Sequence, residues 1–309
     1  MASNLILESL SIYFVIFSLA SLAGIISERS GVINVGIDGM MVVGALTYAI
    51  VGSKLYKVES SNIMQIVPII VASIVAGLFA LLHAFASIKL KADQIVSGTA
   101  INLFAQGLAM FLTTSRGWTE SNGTLITAGY SIISFSGANN VFTIYLLISF
   151  LVTGISGIYF SFTRTGNRHI AVGENPNAVS AVGINVYKYR YLAVIVSGMI
   201  AGISGACFVI IKNNGNFFGT VNGFGFIALA IMIVGQWKIR FTVIASFIFS
   251  LFFTIGERIF YLTNDQWIKD NSNIFNILPF LLSLITMVTI SKYSKPPKSI
   301  GQPYDESKR

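Results

Sequence analysis

Along this chain, apolar runs about as long as a bilayer-crossing helix, roughly 20 residues, alternate with short polar breaks. Nine runs qualify: 8–26, 32–51, 64–88, 95–113, 141–162, 191–211, 224–236, 241–256 and 274–290. The pattern predicts an all-α polytopic membrane bundle of about nine spans, with eight to ten allowed by the boundaries. The seventh run is short and Gly223 and Gly225 stand at its start. It is therefore expected as a half-helix or re-entrant segment supported by neighbouring helices.

Composition strengthens this picture. Of 309 residues, 54% are hydrophobic and 10% charged, against roughly 25% charged in soluble domains. Too few polar residues exist to coat two soluble domains, so residues 1–309 read as one transmembrane domain. A net charge of +8 would suggest nucleic acid in a soluble chain, but here the basic residues occupy short loops between spans, and no nucleic-acid partner is expected. The first eight residues lack a basic stretch of the kind that opens a secretory signal, so the first run is expected to remain in the mature protein. A lone cysteine, Cys207, rules out an internal disulfide. With only His83 and His169 beside it, no Cys/His metal site is expected.

The distribution of charge gives an orientation. Counting alternate loops, 14 of the 20 Lys and Arg residues fall on one side, the other six being Lys54, Lys57, Arg116, Lys212, Arg258 and Lys269. Cytoplasmic loops carry the basic excess, so the amino terminus is expected outside and the tail 291–309 inside. Nine spans also leave four on each side of the fifth, the second four entering from the opposite face: an inverted-repeat topology. Its sequence support is Ala23-Gly24-Ile25 against Ala201-Gly202-Ile203, and Gly31-x-x-Asn34 against Gly219-x-x-Asn222.

Three stretches carry candidate chemistry. In SERSGVINVGIDGMM, Gly31, Gly36 and Gly39 permit close approach or a broken helix. Asn34 and Asp38, four apart, are expected on one helix face. A carboxylate at membrane depth faces a pathway or partner, or else pairs with Arg29 or caps a broken helix. The connection 163–190 is long and basic. Asn175-Pro176 starts a short helix through Ala181, closed by Gly183, and makes a cytoplasmic docking knob. Asn102 and Gln106 share a face of the fourth span, where amides serve as pathway lining or interhelical glue. His83 is expected near enough to the cytoplasmic end to reach water. Trp118, Asn122, Phe217, Phe218 and Asn222 offer an outer contact surface. No nucleotide-binding loop, zinc-protease motif or nucleophile elbow occurs, so the chain is expected to be non-catalytic.

Several segments together resemble one family: SERSGVINVGIDGMMVVGAL, ADQIVSGTAINLFAQGL, the 163–206 stretch with its AVGENP core, GFGFIALAIMIVGQW and the ending IGQPYDESKR. They are similar to the bacterial nucleoside importer permeases of the ATP-binding-cassette class, related to ribose-type sugar and branched-chain amino-acid permeases. The resemblance implies a subunit of the cytoplasmic membrane paired with a second homologous permease, with cytoplasmic ATPases that hold ATP and Mg, and with an extracytoplasmic substrate-binding lipoprotein. It implies that 173–183, with Gly173, Glu174, Asn175, Pro176, Ala178 and Gly183, docks on an ATPase. The resemblance to the vitamin-importer (type II) architecture of about ten helices implies a broken helix at 31–39, and this chain is expected to lack that architecture's extra first helix. A nucleoside path combining aromatic surface with amides would draw on Asn34, Asp38, Asn102, Phe104 and Gln106. Sugar or branched-chain amino-acid import, or ion-coupled transport through Asp38, are the alternatives.

Overall fold

The computed structural model describes residues 2–114, 129–135, 140–262, 277–291 and 294–305. The apolar runs form helices α1 (Ala2–Glu28), α2 (Ile37–Tyr56), α3 (Ile66–Ala84), α4 (Gln94–Thr114), α5 (Ile144–Phe162), α8 (Val186–Cys207), α9 (Phe224–Val234), α10 (Ile239–Leu262) and α11 (Leu278–Ser291). Two further helices, α6 (Arg164–Glu174) and α7 (Pro176–Ala181), fill the long connection between α5 and α8. Wide π-type turns prolong α3 through Lys89 and α8 through Lys212.

Among the described residues seven stretches are long and apolar enough to cross a membrane: Asn4–Glu28, Ile37–Tyr56, Asn62–Lys89, Gln94–Thr114, Ile144–Phe162, Val186–Lys212 and Ile239–Ile259. They match seven of the nine expected runs. The seventh run is the short α9, 11 residues long, as its glycines foretold. The ninth overlaps α11, and its first residues, 274–276, lie outside the described residues. The second span differs from expectation: helix begins at Ile37, and the residues expected as its first turn are irregular.

Burial orders the helices from centre to rim. In α1, 89% of the apolar window is buried inside the protein, and in α8 78%; in α4 the figure is 28% and in α5 17%. α8 packs on α1, α2 and α3, and small residues allow it. Ala72, Ala76 and Ala80 of α3, spaced by four, face Gly198 and Gly202 of α8, so that a side chain on either glycine would strike α3. This small-xxx-small contact lets backbones approach in a medium that supplies no hydrophobic drive between helices. Hydroxyls add polar links: Ser18 to Ser149 of α5 at 2.7 Å, Ser21 to Ser246 of α10 at 3.3 Å, and Ser204 to the Ile16 carbonyl at 2.8 Å. The short α9 is fixed by aromatic packing, the Phe224 ring lying 5.2 Å from Phe17, 5.4 Å from Phe208 and 5.6 Å from Phe253.

Candidate functional site: a broken segment, its capping relay and the docking helices

Between α1 and α2 the chain leaves the helix, and its backbone groups need partners inside the bundle. Side chains of α1, α3 and α4 supply them. The Ile33 amide donates to Gln94 Oε1 at 2.7 Å, and the Ile33 carbonyl accepts from His83 Nε2 at 2.9 Å. The Val32 carbonyl accepts from the Ser27 hydroxyl at 2.9 Å, and Val35 from Asn102 Nδ2 at 2.9 Å. The Glu28 carboxylate accepts from the Asn34 amide. His83 is thus fully buried, contrary to the expectation that it reaches water. With Nε2–H donating to Ile33, a neutral ring leaves Nδ1 to accept from the Ser97 hydroxyl at 3.0 Å.

The helix starts on either side of this centre lack caps of their own. Gly36 before α2 and Gly223 before α9 offer no side chain, yet the first amides of a helix have no partner within it. Both are capped from other helices. Asn102 Oδ1 of α4 accepts from the Gly39 amide at 2.7 Å, and Asp38 Oδ1 of α2 accepts from the Gly225 amide at 3.0 Å. Gln106 Nε2 donates to Asp38 Oδ2 at 3.4 Å, so α4 steadies the carboxylate that caps α9. Positive charge at the α9 amino end favours an anion there, which compensates the cost of a carboxylate at membrane depth. Two glycines make the contacts possible. A β-carbon on Gly39 would lie 2.9 Å from the Asn102 Cα, and one on Gly225 would overlap the Asp38 backbone.

This arrangement corrects two expectations. Asn34 and Asp38 do not share a helix face, because Asn34 precedes the helix: its Nδ2 donates to Ser197 Oγ of α8 at 2.9 Å, while Asp38 points to α9 and α4. Nor does Asp38 pair with Arg29; of the bland roles, capping is the one observed. Phe104 stands apart from the cluster, 55% exposed and stacked on Phe79 of α3 at 5.9 Å. One helical face of α4 carries Asn102 and Gln106 inward, and Phe104, about half a turn away, therefore faces out.

The long connection holds one helix more than expected. Thr163 caps α6, accepting from the Gly166 amide at 2.9 Å, and Asn175 caps α7, accepting from Ala178 at 3.1 Å with Pro176 in the first turn. Gly183, at φ +79°, follows the end of α7. Glu174, Asn175, Ala178 and Gly183 are exposed, whereas Gly173 is buried flat against the Arg29 carbonyl. Within α6, His169 is buried, with Nε2 donating to the Ile26 carbonyl at 2.9 Å. Burial first, then the nearby Arg29 charge, pulls its pKa down to about 4.

Further contacts at this end were not foreseen. Glu28 accepts from Trp237 Nε1 at 2.6 Å, while Arg29 Nε donates to the Trp237 carbonyl at 2.9 Å. The charged pair therefore grips the turn between α9 and α10, where Gln236 and Trp237 both adopt positive φ. The tail forms a staple: the Ser299 amide donates to the Gly173 carbonyl at 2.9 Å, and two residues on, the Gly301 amide donates to the Gly31 carbonyl at 3.1 Å. The buried Arg190 donates to Gln302 at 2.9 Å, and Tyr304 packs with Val172, Val179 and Val186. The IGQPYDESKR ending was singled out by resemblance alone; Gly301, at φ +73°, and Tyr304 were the residues that could have marked it.

At the opposite end Lys212 pairs with Glu257 at 2.5 Å, and Tyr13 donates to the same carboxylate at 2.8 Å. Phe217 belongs to the core there, while Phe218 and Asn222 are exposed; Trp118 and Asn122 lie outside the described residues.

A membrane bundle with a broken, side-chain-braced helix and short helices presented at one end has the architecture of a permease. The chain belongs to the family described as branched-chain amino acid transport system / permease component, whose model matches residues 6–287. It is 36% identical to the Mycoplasma genitalium protein MG121 over 94% of both chains. It is 33% identical to the nucleoside ABC transporter permease protein NupC of Lactococcus lactis, and 29% identical to the guanosine ABC transporter permease protein NupQ of Bacillus subtilis, each over 99% of this chain and 98% of the relative. No solved structure matches it.

Proposed function

We propose that this chain is the membrane-spanning permease subunit of an ATP-binding-cassette importer that carries nucleosides into a bacterial cell. The observation that carries the reading is the end-to-end similarity to two relatives whose names state nucleoside and guanosine transport. ATP hydrolysis belongs to partner subunits, which bind ATP and Mg. The exposed α6–α7 corner, with Glu174, Asn175, Pro176, Ala178 and Gly183, is the surface on which an ATPase docks. Because Gly173 touches the Arg29 backbone, motion of that corner reaches the broken segment directly. Asn34, Asp38, Asn102 and Gln106 hold this segment and act as its gate latch. Phe104, on the outward face of α4, is available to a second permease across the pathway. An extracytoplasmic binding protein delivers the substrate.

The inverted-repeat reading gains support from two matching breaks. Gly31 at φ +89° and Gly219 at φ +82° each open a Gly-x-x-Asn segment ahead of α2 and α9, whose first turns meet at Asp38 and Gly225. Helix starts converging inside the bundle are a mark of inverted-repeat transporters. With the basic end inside, the amino terminus lies outside.

Purification of a tagged copy from its native membrane tests the assembly, which is expected to retain an ATPase and a second permease. Reconstituted with those partners, it is expected to take up nucleosides with ATP, and Glu174→Lys is expected to uncouple uptake while the complex stays assembled. Uptake displaced by branched-chain amino acids or simple sugars, but not by nucleosides, would move the substrate to that alternative.

A further inference from the structure

At the end of α5 nearest α6, a cavity of about 510 Å³ opens between α5, the α9–α10 turn and the last turn of α1. Its size falls within the roughly 300–1,000 Å³ of small-molecule sites. Three kinds of lining meet there. Arg29, Lys238 and Arg240 are basic, and no acidic side chain lines the cavity. Ile25, Ile158, Phe160 and Ile239 are apolar, and Phe162 and Phe241 stand exposed at the mouth. Gly154 and Gly157 leave an open lane along α5, since a β-carbon on either would meet nothing within 4 Å.

The three cations differ in what they have left to give. Arg29 spends Nε on the Trp237 carbonyl. Lys238 lies over the Phe241 ring, 5.6 Å from its centroid. Neither Lys238 nor Arg240 has an ion-pair partner among the described residues. Residues Ile239, Arg240 and Phe241, which also line the cavity, form the first turn of α10. Their amides have no helical acceptor, so the site combines a cationic rim with a helix amino end, the pairing that favours phosphate. Here α5 ends and α10 begins, which sets the rim at headgroup depth, and the glycine lane runs from it along the apolar face of α5.

We infer that this groove is a binding site for an anionic phospholipid, its phosphodiester held by Lys238, Arg240 and the α10 start and one acyl chain lying along Gly154 and Gly157. A free phosphate would satisfy the rim and ignore the lane; a zwitterionic lipid would use the lane and gain little from the rim. Basic pockets between spans recognise anionic heads in this way. The site rests on α5 and α10 being spans, and its occupancy can be read without any transport assay.

The test is native mass spectrometry of the full chain released from nanodiscs of defined composition, with retained lipid counted. From phosphatidylglycerol discs the wild-type chain is expected to retain one lipid that phosphatidylcholine discs do not supply. Each basic residue near an anionic surface contributes about fivefold, so K238Q/R240Q is expected to weaken retention roughly 30-fold, and high salt to weaken it in the same direction. Gly157→Leu fills the lane without touching charge and is expected to lower retention as well. Equal retention of both lipids, retention unchanged in both variants, or displacement by millimolar inorganic phosphate with Gly157→Leu indifferent would overturn the inference. Correctly folded variants are identified by unchanged thermal midpoints.

Discussion

Asp38 separates a capping carboxylate from an ion-carrying one, and two substitutions distinguish them. Alanine removes the acceptor 3.0 Å from the Gly225 amide and leaves that buried donor without a partner. Hydrogen bonds to charged groups contribute about 1.5–3 kcal/mol, so Asp38→Ala is expected to cost about 2–3 kcal/mol. Asparagine keeps an oxygen at the same place, and Gln106 can turn its amide to meet the new Nδ2. What remains lost is the charge at the α9 amino end, about 1 kcal/mol. The two variants should differ by about 1–2 kcal/mol, and both would lower the thermal midpoint of the detergent-solubilised protein, alanine more. In proteoliposomes carrying the full importer, Asp38→Asn is expected to keep most of its nucleoside uptake. Abolished uptake in Asp38→Asn with an unchanged midpoint would refute the capping role and favour ion-coupled transport. An unchanged midpoint in Asp38→Ala would refute it from the other side.

Two further outcomes follow from the same end of the molecule. Gly31→Ala places a side chain at φ +89°, with its β-carbon 2.8 Å from Ser299 Oγ and 2.9 Å from Arg190 Nη2. A left-handed residue costs about 1–2 kcal/mol, so the tail is expected to detach and trypsin to cut faster after Lys298, whereas Gly36→Ala, without the positive φ, should leave cleavage near wild type. For His169, the folded pKa of about 4 lies below the ordinary value near 6.5. The unfolded chain therefore binds the proton first. Stability is complete above pH 6.5 and declines as pH falls towards 4, by at most roughly 3 kcal/mol. His169→Gln should flatten that part of the pH dependence of the thermal midpoint.

The spans were legible because hydrocarbon demands long apolar runs, and the Asn175-Pro176 helix because its capping residues are local. The break at Gly31 was legible for the same reason, but its position was not. Whether residues 32–36 continue a helix depends on Gln94, His83 and Asn102, whose partners lie tens of residues away. Hence Asn34 and Asp38 were read on one face, and His83 was read as reaching water. Phe104 illustrates a different limit: its type suits a pathway, but the phase of α4 is fixed by Asn102 meeting Gly39. α6 escaped notice because its sequence mixes small, basic and apolar residues; Thr163, three residues before Gly166, was the available signal for its start.

The staple formed by the tail sets a length. Ser299 holds the Gly173 carbonyl and Gly301 the Gly31 carbonyl, and two residues of chain reach about 7 Å at full extension. Displacing α6 farther than that reach must either break one of these bonds or drag the segment behind Gly31 with it. In mechanical terms the corner and the break are joined by a short tether, so a pull applied at one is passed to the other once the turn at 298–301 is drawn straight.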